Sequence, residues 1–179
     1  MARVIGPLLS EQARGKLGDS LVYTRRRGQN VVRSFVVPSN PQTANQMTQR
    51  SRLRVNGRII RRVNVGRWKY AAEAMSIKDY YTERVRVGEV WNSALAREML
   101  GAANANFIAS LAVWEALADN IQLLWTTEAE SAIGGLMDET FGGVTYDSGF
   151  QLLLVQRTIG AAGYGVFNSA MPTDLTQAA

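Results

Sequence analysis

The chain contains neither cysteine nor histidine among its 179 residues. The first absence excludes disulfides and thiol nucleophiles. The second removes the side chain most used for proton transfer near neutral pH, and the two together remove the usual zinc ligands. Carboxylates, lysines and hydroxyls remain, but no spacing among them singles out a catalytic set. The expectation is a non-enzyme with no cofactor and no metal site. Long apolar runs are also missing: no stretch reaches the roughly 18 apolar residues of a membrane span. Met1 to Ser10 lacks the charged leader and long apolar run of a secretory signal. A protein made in a reducing cytoplasm, without membrane contact, is therefore expected.

What is present fits a folded domain, with 46% hydrophobic and 20% charged residues, enough to bury a core without staples. The charge is unevenly placed. Residues 1–86 hold 18 of the 20 Lys and Arg but 5 of the 15 acids, a local net of +13 against −8 for the remainder. Such polarity fits two ends that meet different surfaces, or the basic end of one copy meeting the acidic end of another. Pairing inside one fold is the plainer alternative.

Along the chain, Gly6, Pro7, Gly15 and Gly18 make the first 18 residues an extended or turning segment. Leu21 to Thr24 and Val31 to Val37 are rich in β-branched and aromatic residues, and Arg25 to Asn30 separates them as a turn, which predicts a β-hairpin. Pro38 and Pro41 keep the chain extended and form a hinge. Thr43 and Gln46 have the spacing of a capping box, so a helix starts here or at Asn40-Pro41 and runs to about Val63. A second helix is expected over 77–100 and a third over 106–131. Gly134-Gly135 and Gly142-Gly143 mark a loop, with a short strand or turn at Val144 to Tyr146. A buried, weakly amphipathic helix is predicted over 149–162. The domain reading is an arm over 1–41, a helical body over 42–165 and a polar tail over 166–179. The fold class is mainly α: a helical body with an extended N-terminal arm and β-hairpin.

Periodicity selects the core. Leu53, Gly57, Ile60 and Val63 share one side of the first helix, and Trp91 recurs with Val87, Leu95 and Met99 in the second. Phe107, Leu111, Trp114, Ile121 and Trp125 form one stripe in the third. Tryptophans on an apolar stripe are core far more often than ligand-binding. Gly57 weakens the first helix by about 1 kcal/mol relative to alanine, unless another backbone must come close there.

The interface candidates are basic. Tyr23, Arg25, Arg26, Arg27, Arg33 and Phe35 cluster on the hairpin, and Arg50, Arg54, Arg58 and Arg61 lie around the first helix. Arginine forks and a stacking aromatic can hold phosphate. Contact with the carboxylates of a neighbouring subunit is the favoured reading, because no recognition helix or base-reading sheet is evident. The acids Asp119, Glu128, Glu130, Asp138 and Glu139 match no calcium loop and read as an exposed acidic face.

Three blocks together resemble a family of structural proteins of tailed-bacteriophage and prophage particles. The first is Gly15-Lys16-Leu17-Gly18, a hairpin ending in Val32-Arg33, then Val37-Pro38-Ser39-Asn40-Pro41-Gln42-Thr43, Gln46 and Arg50. The second runs from Trp114 through Ile121 to Trp125, and the third from Gly149-Phe150 to Gly163 with Pro172 beyond. The chain departs from the family in a longer helical stretch between Arg67 and Ala105. The resemblance implies a virion component without enzymatic activity, made in the host cytoplasm. Its expected partners are other virion proteins, namely major capsid or neck and tail subunits, and copies of itself, with nucleic acid second. A head-associated decoration, cement or minor capsid protein is the favoured expectation. A tail, neck or baseplate component is the nearest rival, and a non-specific DNA-binding protein is the rival of a different class.

Overall fold

The computed structural model describes residues 2–3, 15–17, 20–26, 28–36, 40, 42–66, 68–71, 73 and 75–177. The chain divides into an N-terminal unit over 1–42 and a body over 43–179. With about 52% helix and 17% strand it is mixed α/β with a helical body and small sheets. The expected hinge at Pro38 and Pro41 lies outside the described residues, as does Arg27.

The N-terminal unit is a four-stranded antiparallel sheet. Its strands are β1 (Ala2–Arg3), β2 (Gly15–Leu17), β3 (Leu21–Arg26) and β4 (Gln29–Ser34), in the order β1-β4-β3-β2. Val22, Tyr23, Thr24, Val31 and Val32 are residues that suit a pleated surface. The predicted hairpin is present, but its loop is shorter than expected. Arg25 pairs with Asn30 and Arg26 with Gln29, so both arginines belong to the strand. Gly28 has φ +80°, the positive φ that a two-residue hairpin turn demands. β4 ends at Ser34, and the Phe35 N–H closes the sheet's end by donating to the Ser20 carbonyl at 2.8 Å.

The body opens with α1 (Ala44–Gly66), β5 (Trp68–Tyr70), α2 (Ile77–Glu83) and α3 (Trp91–Met99). α4 (Gly101–Glu115), α5 (Asp119–Glu130), β6 (Glu139–Phe141), β7 (Val144–Tyr146), α6 (Ser148–Ala161) and β8 (Leu175–Gln177) complete it. α6 is the central element, with α1, α3, α4 and α5 packed around it. Its sequence is apolar on nearly every side, and Phe150, Leu152, Leu153, Leu154, Val155 and Ile159 are all buried. The buried polar residues of α6 are satisfied. Gln156 donates to the Thr173 carbonyl and accepts the Thr173 N–H, both at 3.0 Å. Gln151 donates to the Met137 carbonyl at 2.8 Å, and Asp138 accepts the Ser148 N–H at 2.8 Å, capping the helix start. Residues 166–177, read from the sequence as a tail, instead cross the body. Leu175 is buried, and β8 pairs antiparallel with β5.

Each of the two long helices expected in mid-chain is a pair of shorter ones. The 77–100 stretch breaks between α2 and α3. Gly88 adopts φ +80° there, and the Glu89 carboxylate accepts the Arg86 N–H at 3.2 Å while pairing with Arg97. The hydrogen bond from Arg97 holds the Glu89 carboxyl below the usual carboxylate range. Val87, counted in the apolar stripe, is therefore in the turn and fully exposed. The 106–131 stretch breaks at 116–118, where Ala118 is extended. The Gln122 side chain donates to the Trp114 and Leu117 carbonyls at 2.9 and 3.3 Å, satisfying the last acceptors of α4. Trp114 and Trp125 thus sit on different helices, yet both are buried. Their indole N–H groups donate to Asp147 at 3.1 Å and to the Ser169 carbonyl at 3.2 Å.

α1 begins as predicted, with Thr43 Oγ1 accepting the Gln46 N–H at 3.4 Å. Its buried side is only partly the expected one. Leu53, assigned to the core by periodicity, is 59% exposed. Val63, from the same expected side, is buried, and Ser51, Val55, Asn56 and Ile59 face inward with it. Ser51 is accepted in the interior because its hydroxyl bonds the Thr48 carbonyl at 2.7 Å and the Tyr146 hydroxyl at 2.9 Å. Ile60, Trp91, Leu111 and Ile121 are half-buried against the core, and Phe107 is fully buried.

Candidate functional site

The N-terminal sheet is built from side chains that alternate between two faces, and its register decides which of them meet. Residues directly opposite each other point the same way. Leu21 is paired with Ser34, Tyr23 with Val32 and Arg25 with Asn30, which gives one face a centre of Leu21, Tyr23 and Val32. Val22 is paired with Arg33, Thr24 with Val31, Arg26 with Gln29, and Lys16 with Val22. The second face therefore carries Lys16, Arg26 and Arg33 around Val22 and Val31. Phe35 belongs with it: the Lys16 ammonium lies 3.9 Å from the centre of its ring, a cation–π contact. Among the residues of the unit whose side chains are described none is buried, and Leu21, Val22, Tyr23, Val31 and Val32 are all left half-exposed.

The structure thus separates the hairpin candidates that the sequence lumped together. Tyr23 and Arg25 fall on the first face, and Arg26, Arg33 and Phe35 on the second. Lys16 was missed because three residues of β2 are too few to show a period. The pairing of β1 and β2 with the hairpin is equally invisible in composition.

The arginines of α1 have varied surroundings. Arg54 and Arg58 approach Glu139 at 3.9 and 3.1 Å, and the Arg54 guanidinium lies 4.9 Å from the Phe141 ring centre. These two candidates meet a carboxylate of their own body. Arg52 lies 5.6 Å from the Phe107 ring. Arg50 is half-buried, and Arg61 is exposed. Half-exposed ion pairs of this kind are worth about 0.2–1 kcal/mol each.

Perturbed ionisable groups often mark chemistry, and here they fall in an aromatic cluster. Burial pushes the phenols of Tyr70, Tyr81 and Tyr164 upward, Tyr164 to about 12. Tyr81 donates to Glu98 at 2.8 Å and Tyr164 to the Met75 carbonyl. The Tyr80 ring packs against those of Tyr81 and Tyr164, at 5.3 and 4.5 Å between centres. With burial as the leading cause and hydrogen bonds that tie α2 to α3 and one loop to another, the cluster is packing.

The acids read as an exposed face are partly structural. Glu128 accepts the Leu175 N–H and Glu130 the Ser148 hydroxyl, both at 3.0 Å. Among the described residues no three acidic side chains converge as a metal-holding group, and no helix is long and apolar enough to cross a membrane. No family model, curated protein or solved structure matches the chain.

Proposed function

We propose that this chain is a structural component of a tailed-bacteriophage particle, attached to neighbouring subunits through its N-terminal sheet. The observation that carries the reading is the sheet itself. It is a folded element with no buried residue among those whose side chains are described, with Leu21, Tyr23 and Val32 central to one face and Lys16, Arg26 and Arg33 around Val22 and Val31 on the other. Exposed apolar patches on a small folded unit mark surfaces that bind a partner. A neighbouring subunit is that partner: the Leu21–Tyr23–Val32 face seats on apolar surface, and Lys16, Arg26 and Arg33 meet carboxylates. Edge pairing through β1 or β2 adds main-chain hydrogen bonds. In this reading the fold is a mainly α body carrying an attachment arm, and modest contacts suffice because they recur at many equivalent sites. The resemblance of the 15–50 block to phage structural proteins supports it, and a head-associated place, as decoration, cement or minor capsid protein, is favoured over neck, tail or baseplate.

The test is quantitative mass spectrometry of purified particles carrying either the full chain or a version lacking residues 1–42. A copy number on the scale of the shell subunits is expected for the full chain, and loss from particles for a truncated protein that still folds. A single ring's worth of copies moves the protein to the neck or tail. Absence of the full chain from particles, or normal incorporation of the truncated one, overturns the proposal.

The cation-bearing face favours one second reading, non-specific binding to duplex DNA. Affinity would then fall steeply with salt, because each neutralised phosphate releases counterions. Salt-insensitive or absent binding to random duplex removes it.

A further inference from the structure

α1 carries a second apolar strip beside its core-facing side, of which only Ile60 is partly covered by the body. Leu53, Gly57 and Ile60 follow one another at helical spacing, with Leu53 59% exposed. From Gly57 onward the strip forms one wall of a groove of about 500 Å³, shared with α3. It is lined by Gly57, Ile60, Arg61, Asn64, Trp91 and Ala96, among others. Gly57 is unexplained by the chain's own packing, because a Cβ placed there meets nothing within 4 Å. Glycine in mid-helix weakens the helix relative to alanine, and its compensating use is close approach by another backbone. Arg61 lines the same groove and, among the described residues, pairs with no carboxylate.

The complementary surface is on α5. Asn120, Leu123, Leu124 and Thr127 form an exposed stripe at steps of three and four, with Leu123 65% and Leu124 49% exposed. Glu115 and Asp119 precede the leucines and Glu130 follows them. No lysine or arginine occurs between Arg97 and Arg157, whereas α1 has six arginines and no acid. One surface is a groove in which Ile60, Trp91 and Ala96 sit among Asn64, Asn92 and Ser93 with Arg61 as its cation, and the other is an apolar helix face with acidic ends.

We infer that a second copy of this chain occupies the groove, the Leu123–Leu124 face of α5 from one copy seating between α1 and α3 of the next. The geometry is a helix lying in a groove with anchors at neighbouring positions. Opposite charges at its rim set orientation and disfavour other partners. Because groove and face are different patches of one body, the contact is either heterologous, propagating into a ring or filament, or made twice in a reciprocal pair. It deepens the part of the proposed function that has copies of the chain as partners. It is tested on purified protein, so its failure leaves the particle assignment standing.

The experiment is sedimentation velocity of the full chain and two variants, alone and mixed. Gly57→Trp fills the groove at a position where added atoms meet nothing. Leu123→Lys with Leu124→Lys spoils the face at two exposed side chains. Self-association of the parent chain with rising concentration is expected. Each variant alone should lose on the order of 100-fold in affinity, about tenfold for each anchor contact. An equimolar mixture should form a one-to-one dimer and nothing larger, since one partner keeps an intact face and the other an intact groove. Arg61→Glu replaces Gly57→Trp if the latter lowers the melting temperature. A parent chain monomeric at every concentration overturns the inference. So does either variant associating like the parent, or a mixture that stays monomeric.

Discussion

Gly57→Ala and Gly149→Ala are the same change in two helices of one body, and the structure requires opposite outcomes. Gly149 is the second residue of α6. A Cβ there lies 2.6 Å from Trp114 Cη2, 2.8 Å from Thr126 Oγ1 and 2.9 Å from the Thr126 backbone nitrogen. The indole is held by its bond to Asp147 at 3.1 Å, and the Thr126 backbone is mid-helix, so neither neighbour yields readily. Overpacking of this kind costs about 1–3 kcal/mol, and at the second helical position the offsetting gain in propensity is small. For a chain of this size that is a fall of about 2–12 °C in Tm. Gly57→Ala meets no atom and should stabilise by about 0.4–1 kcal/mol. Both are read by guanidinium unfolding followed through tryptophan fluorescence. Trp68, Trp91, Trp114 and Trp125 all lie in the body, so the signal ignores the arm. A cycle with Trp114→Ala should show coupling of about 0.5–3 kcal/mol, because removing the indole removes one of the three clashes. If Gly149→Ala melts at or above the parent temperature, α6 does not approach α4 and α5 this closely, and the core described above is wrong.

Two further outcomes follow from buried polar groups. Asn56 is 2% exposed, and among the described residues neither end of its amide has a hydrogen-bond partner. Asn56→Leu should therefore stabilise the body by roughly 1–3 kcal/mol, and a clear destabilisation in the same unfolding assay would mean the amide is satisfied. The raised phenols of Tyr70, Tyr81 and Tyr164 make folding pH-dependent on the alkaline side. The folded state keeps protons that the unfolded state releases from about pH 10, so stability is full below that and lost as pH climbs, with Tyr164 ionising at about 12. Tyrosinate absorbance should then rise in step with loss of helical circular dichroism. Full ionisation near pH 10 with the fold intact would contradict it.

How much of this was legible in the sequence depends on what each residue answers to. α6 was readable because a helix apolar on nearly every side has one place to go, the middle of the body. The start of α1 was readable because Thr43 caps it locally. The breaks at 84–90 and 116–118 were not, since the residues that fix them act across the turn. Gln122 satisfies carbonyls of the helix before its own, and Glu89 reaches both Arg86 and Arg97. Apolar periodicity ran through both breaks undisturbed. β8 was hidden for a related reason: its partner β5 is more than 100 residues away in sequence, with Trp68 paired to Gln177. On the candidate surface, the residue types of the hairpin were visible, but their division between two faces required the register. A shift of one residue would have placed every side chain on the opposite face.

Leu53 and Val87 were misread in the same direction, as core residues that turned out exposed, yet the two errors differ in meaning. Val87 lies in a turn held by Glu89 and Arg97, and its exposure follows from that turn. Leu53 lies on a regular helix whose interior side is already supplied by Val55, Ile59 and Val63. α1 therefore has more apolar positions than its own fold consumes, arranged with a periodicity as good as the buried set, and the surplus runs into the groove beside Gly57. A helix under selection only for monomer stability gains nothing from an exposed leucine one turn before a glycine that packs against nothing. Two such residues in register on one face, opposite an exposed leucine pair flanked by acids elsewhere on the same body, are what association requires and folding does not. The periodic signal in α1 thus fits the contact between copies proposed above, which the sedimentation experiment decides.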